Sequence, residues 1–302
     1  MLGLRCETIT FDRRLNRKSE WETVEVKKGQ YSDDLNSDYA LVSTRIFDEK
    51  HVHQVTELEI NSPYILQALA SLVKYFPSQP SDFTAKIKIE SPFMILYHHW
   101  DDLSEYRRSA DDEARMHLNL LFSYMEHEMG ESRRYLKALT DRGFINWEMV
   151  WAIFKPGNMV LGRTSGHWRL CRVEKVTFGS VVKDYMKQKA FTVELTGTDY
   201  NGVKTGRATF EVKYVQGDMP ENCEITSLDY FPAEFLEGHQ KIIAELTERG
   251  KRYLKLRGIQ VHRYSGNMLH PTLETDWDDR PIWVLREKLV SLRAHEILST
   301  FV

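Results

Sequence analysis

The chain has 302 residues, 42% apolar and 12% aromatic, enough to bury a substantial core and too hydrophobic for a disordered polymer. Its 41 basic and 44 acidic residues leave a net charge of −3, so no chain-wide field favours nucleic acid or an anionic membrane as partner. The longest apolar run, Met149 to Phe154, falls far short of the ~20 residues that span a bilayer.

Residues 1–38 read as a polar extension in which Trp21, Val24 and Val26 suggest one edge strand. The main unit is expected over residues 39–268. Tyr39 to Phe47 and Val52 to Ile60 are β-rich runs joined by the charged turn Asp48-Glu49-Lys50-His51, the pattern of a hairpin. Ser62 is placed to cap a helix, and Pro63 fits its first position, where the missing donor is not needed. Ile65, Leu69, Leu72, Val73 and Phe76 then recur at helical spacing until Pro77 stops the run.

Ala85 to Glu90 predicts a short strand. Asp111 to Met129 predicts a helix, and Tyr135, Leu136 and Leu139 a second one that Gly143 ends in the left-handed conformation. Trp147 to Phe154 reads as a short capped helix. From about residue 157 to 232 the chain turns mainly β. His167 to Phe178 is one strand, and Phe191, Val193 and Leu195 alternate with polar residues in the next. The turn Asp199-Tyr200-Asn201-Gly202 leads to a third, with Ala208, Phe210, Val212 and Tyr214 alternating. Short strands joined by turns predict a small barrel or sandwich. Ala233 to Leu256 returns to helix, Ile259 to Tyr264 is extended, and the tail 269–302 predicts a last helix from Asp278. The fold class is α+β: a helix-bearing N-terminal half packed on a barrel-like antiparallel region with flanking helices.

Several of these landmarks fall in a recognisable order. They run from Ser62-Pro63 and Tyr75-Phe76-Pro77 through Ile89-Glu90-Ser91-Pro92-Phe93, with Leu96 and His98, to Trp151-Ala152-Ile153-Phe154-Lys155-Pro156-Gly157. Asp199-Tyr200-Asn201-Gly202, Ile225 to Pro232, Leu256-Arg257-Gly258 and Tyr264-Ser265-Gly266 follow. The order resembles the uncharacterised domain that precedes the ATPase module in a group of fungal AAA-type ATPases, over roughly residues 40–268. The resemblance implies a domain that selects substrates or adaptors, or controls access to a motor. No Gly-x-x-x-x-Gly-Lys-Ser/Thr run is present, so ATP hydrolysis is carried by no residue here, and the chain reads as a fragment or a shortened relative.

The candidate chemical sites are weaker. His98-His99-Trp100-Asp101-Asp102 is the densest group of metal ligands, but neighbours in sequence point apart and no second His/Cys group sits at a diagnostic spacing. A helix start with His98 packed beneath it accounts for the run. His51 and His53 flank a solvated turn, and His127-Glu128 lacks the second His of a zinc protease. Gly162-Arg163-Thr164-Ser165-Gly166 has its serine one place late for a nucleophile elbow. Cys171 falls inside a strand, where an inert thiol is the default. The expectation is therefore no catalytic residue, no metal and no cofactor.

Two binding surfaces carry more. Trp168, Phe178, Tyr200, Tyr214, Tyr230 and Phe231 offer aromatics that a small barrel can shape into a cage for a methylated ammonium, although core filling explains most of them. Tyr200, beside Asp199 and Asn201, is the one least explained by packing. Arg249, Lys251, Arg252, Lys255 and Arg257, with Tyr253 among them, can meet phosphates or an acidic peptide, although bases at a helix C-terminus also complement its dipole. The candidate binding residues are Trp168, Asp199, Tyr200, Asn201, Arg252 and Tyr253. The expected function is a non-catalytic recognition or regulatory domain with a protein or peptide partner, within reach of an AAA ATPase module in a longer chain. The alternatives are a stand-alone barrel reader of a peptide or modified side chain and, more weakly, a hydrolase or metal enzyme. Nucleic acid and membrane are not expected partners. Cys6, Cys171 and Cys223, odd in number and far apart, fit a reducing compartment, cytoplasm or nucleus.

Overall fold

The computed structural model describes residues 3–15, 20–26, 37–77, 83–164, 167–183, 185–200, 204–255, 261–263, 267–275, 281–287 and 291–293, with the backbone alone at 164, 200 and beyond 255. The N-terminal half is built on a five-stranded sheet of β1 (Arg5–Leu15), β2 (Trp21–Glu25), β3 (Tyr39–Phe47), β4 (His53–Ile60) and β5 (Ile87–Glu90), in the order β2-β1-β3-β4-β5. The predicted hairpin is β3–β4, and Trp21 lies on the edge strand β2. β1 runs parallel to β3 and joins this edge strand to the sheet.

Alternation decides which face is buried. Leu58, Ile60, Ile87 and Ile89 enter the main core, while Glu57 and Glu59 pair with Lys88 on the opposite face. The helices cover the apolar face: α1 (Pro63–Leu72), α2 (Met94–His98), α3 (Trp100–Ser109) and α4 (Asp112–Thr140). Ser62 caps α1 as predicted, its Oγ accepting from the Ile65 N–H at 3.3 Å. The same Oγ lies 2.9 Å from Nδ1 of the buried His117, which ties α1 to α4.

α4 corrects the expectation of two helices between Asp111 and Gly143. Leu118, Leu121, Phe122, Met125, Met129, Leu136 and Leu139 form one buried stripe, so the apolar spacing continues through residues 130–135 and no Pro interrupts it. Asp111 caps the start, and Gly143 lies beyond the end at φ 76°, a conformation that suits glycine. The short helix expected over 147–154 is a 3-10 turn, Val150–Ile153, on which Asn146 Oδ1 accepts from Met149 N–H.

The C-terminal half centres on a second five-stranded sheet. Its strands are β7 (Met159–Thr164), β8 (His167–Lys183), β9 (Met186–Tyr200), β10 (Thr205–Val215) and β12 (Tyr230–Pro232), in the order β10-β9-β8-β7-β12. β6 (Phe144–Ile145) and β11 (Cys223–Glu224) form a separate small ladder. The expected barrel does not close, because among the described residues no ladder joins β10 to β12. The edges do curl together: Tyr214 Oη donates to the Tyr230 carbonyl at 2.7 Å, and the Phe210 and Tyr230 rings lie 5.4 Å apart. Gly162 leaves room for the ring of Tyr230, its partner in the antiparallel β7–β12 ladder, since a Cβ there would sit 2.4 Å from that ring.

One core joins the halves. Trp147 and Phe154 reach from the helical side onto Phe191, Phe154 also meets Tyr214, and Trp151 meets Phe178; Phe191 and Tyr214 stack at 4.8 Å. The helix expected from Ala233 is a 3-10 turn, Ala233–Phe235, followed by α5 (His239–Lys255). The tail corrects its prediction. In place of a helix from Asp278, β14 (Asn267–Thr275) pairs with β15 (Pro281–Glu287), and β13 (Val261–Arg263) with β16 (Ser291–Arg293). β-branched and aromatic residues at Val284 and Trp283, with Pro281 at a strand start, suit this outcome. The α+β class stands.

Candidate functional site

α5 brings several of the sequence-predicted residues together. Its apolar side, Ile242, Ile243 and Leu246, packs on the core, and its C-terminal turns lie along the second sheet. Tyr253 Oη donates to Asp199 Oδ1 at 2.9 Å, and Arg249 Nη2 donates to the Trp168 carbonyl at 2.7 Å. Thus Asp199, Tyr253 and Trp168 meet along one seam, with Arg252 exposed beside Tyr253. The Trp168 ring is half-buried, edge-on to Phe231 at 6.2 Å, and the Arg163 guanidinium lies 4.3 Å from its centre. Tyr200 ends β9 opposite Thr205, and Asn201 lies outside the described residues. The other aromatics of the imagined cage, Tyr214, Tyr230 and Phe231, are buried in the core.

The buried titratable groups are driven toward their inert forms. His98 has Nε2 without a hydrogen-bond partner and without solvent, ringed by Phe76, Tyr97 and Trp151. Burial first, then the charge of Lys155, lowers it to about 3, so the ring is neutral at physiological pH. His99 is lowered by burial and bonds the Ile95 carbonyl through Nδ1. His117 is lowered for the same reason. Burial pushes the Cys171 thiol up to about 11, away from the thiolate a nucleophile needs. Asp101 and Asp102, neighbours of these histidines, are engaged by Arg133 and Lys155. Among the described residues, no three His, Cys, Asp or Glu side chains gather to hold a metal ion.

Among the described residues, the helical half holds a cleft and a groove. A cleft of about 470 Å³ between β1 and α4 is lined by Glu7, Thr10, Ser43, Tyr124 and Glu128, where Tyr124 Oη and Ser43 Oγ are 3.1 Å apart. An open groove of about 730 Å³ between α3 and α4 has Arg107 stacked 4.1 Å over Phe122.

The feature that sequence reading missed is the far end of the β8–β9 hairpin. β7 pairs with β8 only up to Arg172, and β10 pairs with β9 only from Ala190 onward. The ladder of β8 with β9 nevertheless continues past a register shift between Val173 and Lys175, then regularly to Lys183 opposite Met186. Residues 179–183 and 186–189 therefore form a two-stranded arm, roughly 16 Å long at the usual rise per residue. It carries Val182 at 78% exposure, Met186 at 63% and a fully exposed Tyr185 at the turn, with Phe178, 52% exposed, at its root.

The two faces of the arm differ. Gln188 packs against Gly217 on one, and Lys183 pairs with Asp218 nearby. Register places Phe178 opposite Phe191, Ser180 opposite Lys189 and Val182 opposite Lys187 on the other. This second face continues the one that buries Val176, Phe191 and Val193 at the base, and Phe178 is its last residue near a core ring, 6.3 Å from Trp151. The signal available in the sequence was the β-branched pair Val181-Val182 followed, after Asp184-Tyr185, by Met186-Lys187-Gln188-Lys189 running into the apolar Ala190-Phe191.

Residues 135–237, about a third of the chain, are similar to a family described as a domain of unknown function (DUF7025). The match takes in the end of α4, the whole second sheet and the arm. No curated protein and no solved structure matches the chain. No helix among the described residues is long and apolar enough to cross a membrane.

Proposed function

We propose that the chain is a non-catalytic recognition module that grips a protein or peptide partner through the arm of the β8–β9 hairpin. The observation that carries this reading is the exposed apolar group Val182, Tyr185 and Met186 on a ribbon that, among the described residues, no third strand supports. Scattered surface apolar residues need no explanation, but several gathered at a protruding tip are the usual mark of an interaction surface. A two-stranded ribbon is also marginal by itself, so apolar residues at its tip contribute little to folding. The neutral His98 and His117 and the protonated Cys171 support a non-catalytic role, because burial removes the reactivity each would need.

The ordered landmarks that resemble the domain ahead of the ATPase in fungal AAA-type ATPases support recognition on behalf of a motor. In that setting the arm selects what the motor receives. The three unpaired thiols suit a reducing compartment, and cytoplasm or nucleus is the proposed location. A second surface, the seam where Asp199 meets Tyr253 beside exposed Arg252, is favoured by the convergence of sequence-predicted residues there.

Affinity capture from native lysate with the full chain separates the two surfaces. Wild type is expected to retain a discrete partner that the triple variant Val182→Ser, Tyr185→Ser, Met186→Ser loses with unchanged melting temperature. Equal recovery by this variant, with loss on Arg252→Glu, moves recognition to the seam.

A further inference from the structure

The chemistry of the arm narrows the partner, granting the reading that the arm is the recognition surface. At the base of the hairpin, the inner face of β8 and β9 is covered by a layer made of Trp147, the Val150–Ile153 turn and Phe154. Trp151 is the last residue of that layer to reach a hairpin ring, at Phe178. Beyond it the same face is exposed and, among the described residues, uncovered, with Val182 in line with Phe178 and with Lys187 and Lys189 across from Val182 and Ser180. Among the described residues neither lysine has an acidic partner, whereas Lys175 and Lys183 each have one, Glu194 and Asp218. The exposed face thus presents Phe178 and Val182, with Ser180 between them, along one strand and two ammonium groups along the other.

We infer that this face docks an amphipathic helix of a partner chain, with an apolar stripe seated on Phe178 and Val182 and acidic side chains meeting Lys187 and Lys189. A two-stranded ribbon is roughly 10 Å across with its side chains, the diameter of one helix. A helix laid there extends the covering layer that stops at Trp151. The lysines set its polarity of charge, since like charges opposite them would be left facing each other without water. Tyr185, at the turn, closes over the end of the docked segment.

The test uses two labelled helical peptides of 18 residues that share one leucine stripe, with glutamate beside the stripe in the first and lysine in the second. Fluorescence anisotropy with the full chain is expected to show binding of the glutamate peptide only, weakening as salt rises. The double variant Lys187→Glu, Lys189→Glu should bind the glutamate peptide about tenfold or more weakly, a few-fold for each exposed ion pair lost. The same variant should gain the lysine peptide, an outcome that misfolding does not produce. Equal binding of both peptides by wild type, or no response to charge reversal, overturns the inference. If the tip variant loses its lysate partner while charge reversal leaves it bound, the recognition surface stands and the acidic helix falls. If neither variant changes capture, the recognition surface itself is wrong.

Discussion

The base and the tip of the β8–β9 hairpin carry the same alternation on the same face, with opposite outcomes. At the base, Val176, Phe191 and Val193 are nearly inaccessible beneath Trp147 and Phe154. Four to six residues farther along β8, Ser180 and Val182 occupy equivalent positions and are exposed. The difference lies in what covers each stretch, because the backbone pairing is continuous through both. An apolar residue at the base contributes to stability, and one at the tip adds little to it.

The comparison breaks first at the base. Phe191→Ala removes the ring that stacks on Tyr214 and touches Trp147 and Phe154, and is expected to cost about 3–5 kcal/mol in chemical denaturation. A loss below about 1 kcal/mol would mean that the base is as loosely held as the tip.

The half-buried His98, whose Nε2 is out of reach of solvent, gives a pH test. Its folded value lies near 3, below the ordinary 6.5, so the unfolded chain takes up the proton first as pH falls. Its contribution is complete above about pH 6.5 and is lost between there and about pH 3, at up to about 1.4 kcal/mol per pH unit. His98→Leu should flatten the stability profile between pH 6 and pH 4 by roughly that slope. An unchanged slope would show that His98 reaches solvent in the folded chain.

The seam on α5 is weaker. Tyr253→Phe deletes the donor to Asp199 and is expected to cost about 1 kcal/mol, read as a shift of the denaturation midpoint at unchanged slope. At the tip, Val182→Ser and Tyr185→Ser should each stay within about 0.5 kcal/mol of wild type, the range of ordinary surface changes. A larger effect would mean that the chain itself covers the arm.

Several locally decided elements were legible in the sequence. Ser62 and Pro63 started α1, the charged turn after Phe47 made the first hairpin, and alternation from Phe191 to Tyr214 made β9 and β10. Barrel closure was not legible, because whether β10 meets β12 depends on curl accumulated across the sheet, and no local residue records it. The break expected between Met129 and Tyr135 failed for a related reason: polar surface residues dilute the stripe there, while Arg134 and Glu126 pair across the same stretch. Trp168, Asp199 and Tyr253 were legible as residue types, but only the fold shows that two of them bond to each other and that Arg163 lies over the third. The arm was overlooked because its pattern is that of a core strand. Only the ends of β7 and β10 reveal where the core stops.

The most direct test of the arm as recognition surface is site-specific photocrosslinking. A benzoylphenylalanine is placed at position 185 in one sample and at position 252 in another, and each is irradiated in native lysate. A discrete adduct from position 185 with only background from position 252 is the predicted result, and an adduct from position 252 alone would contradict it.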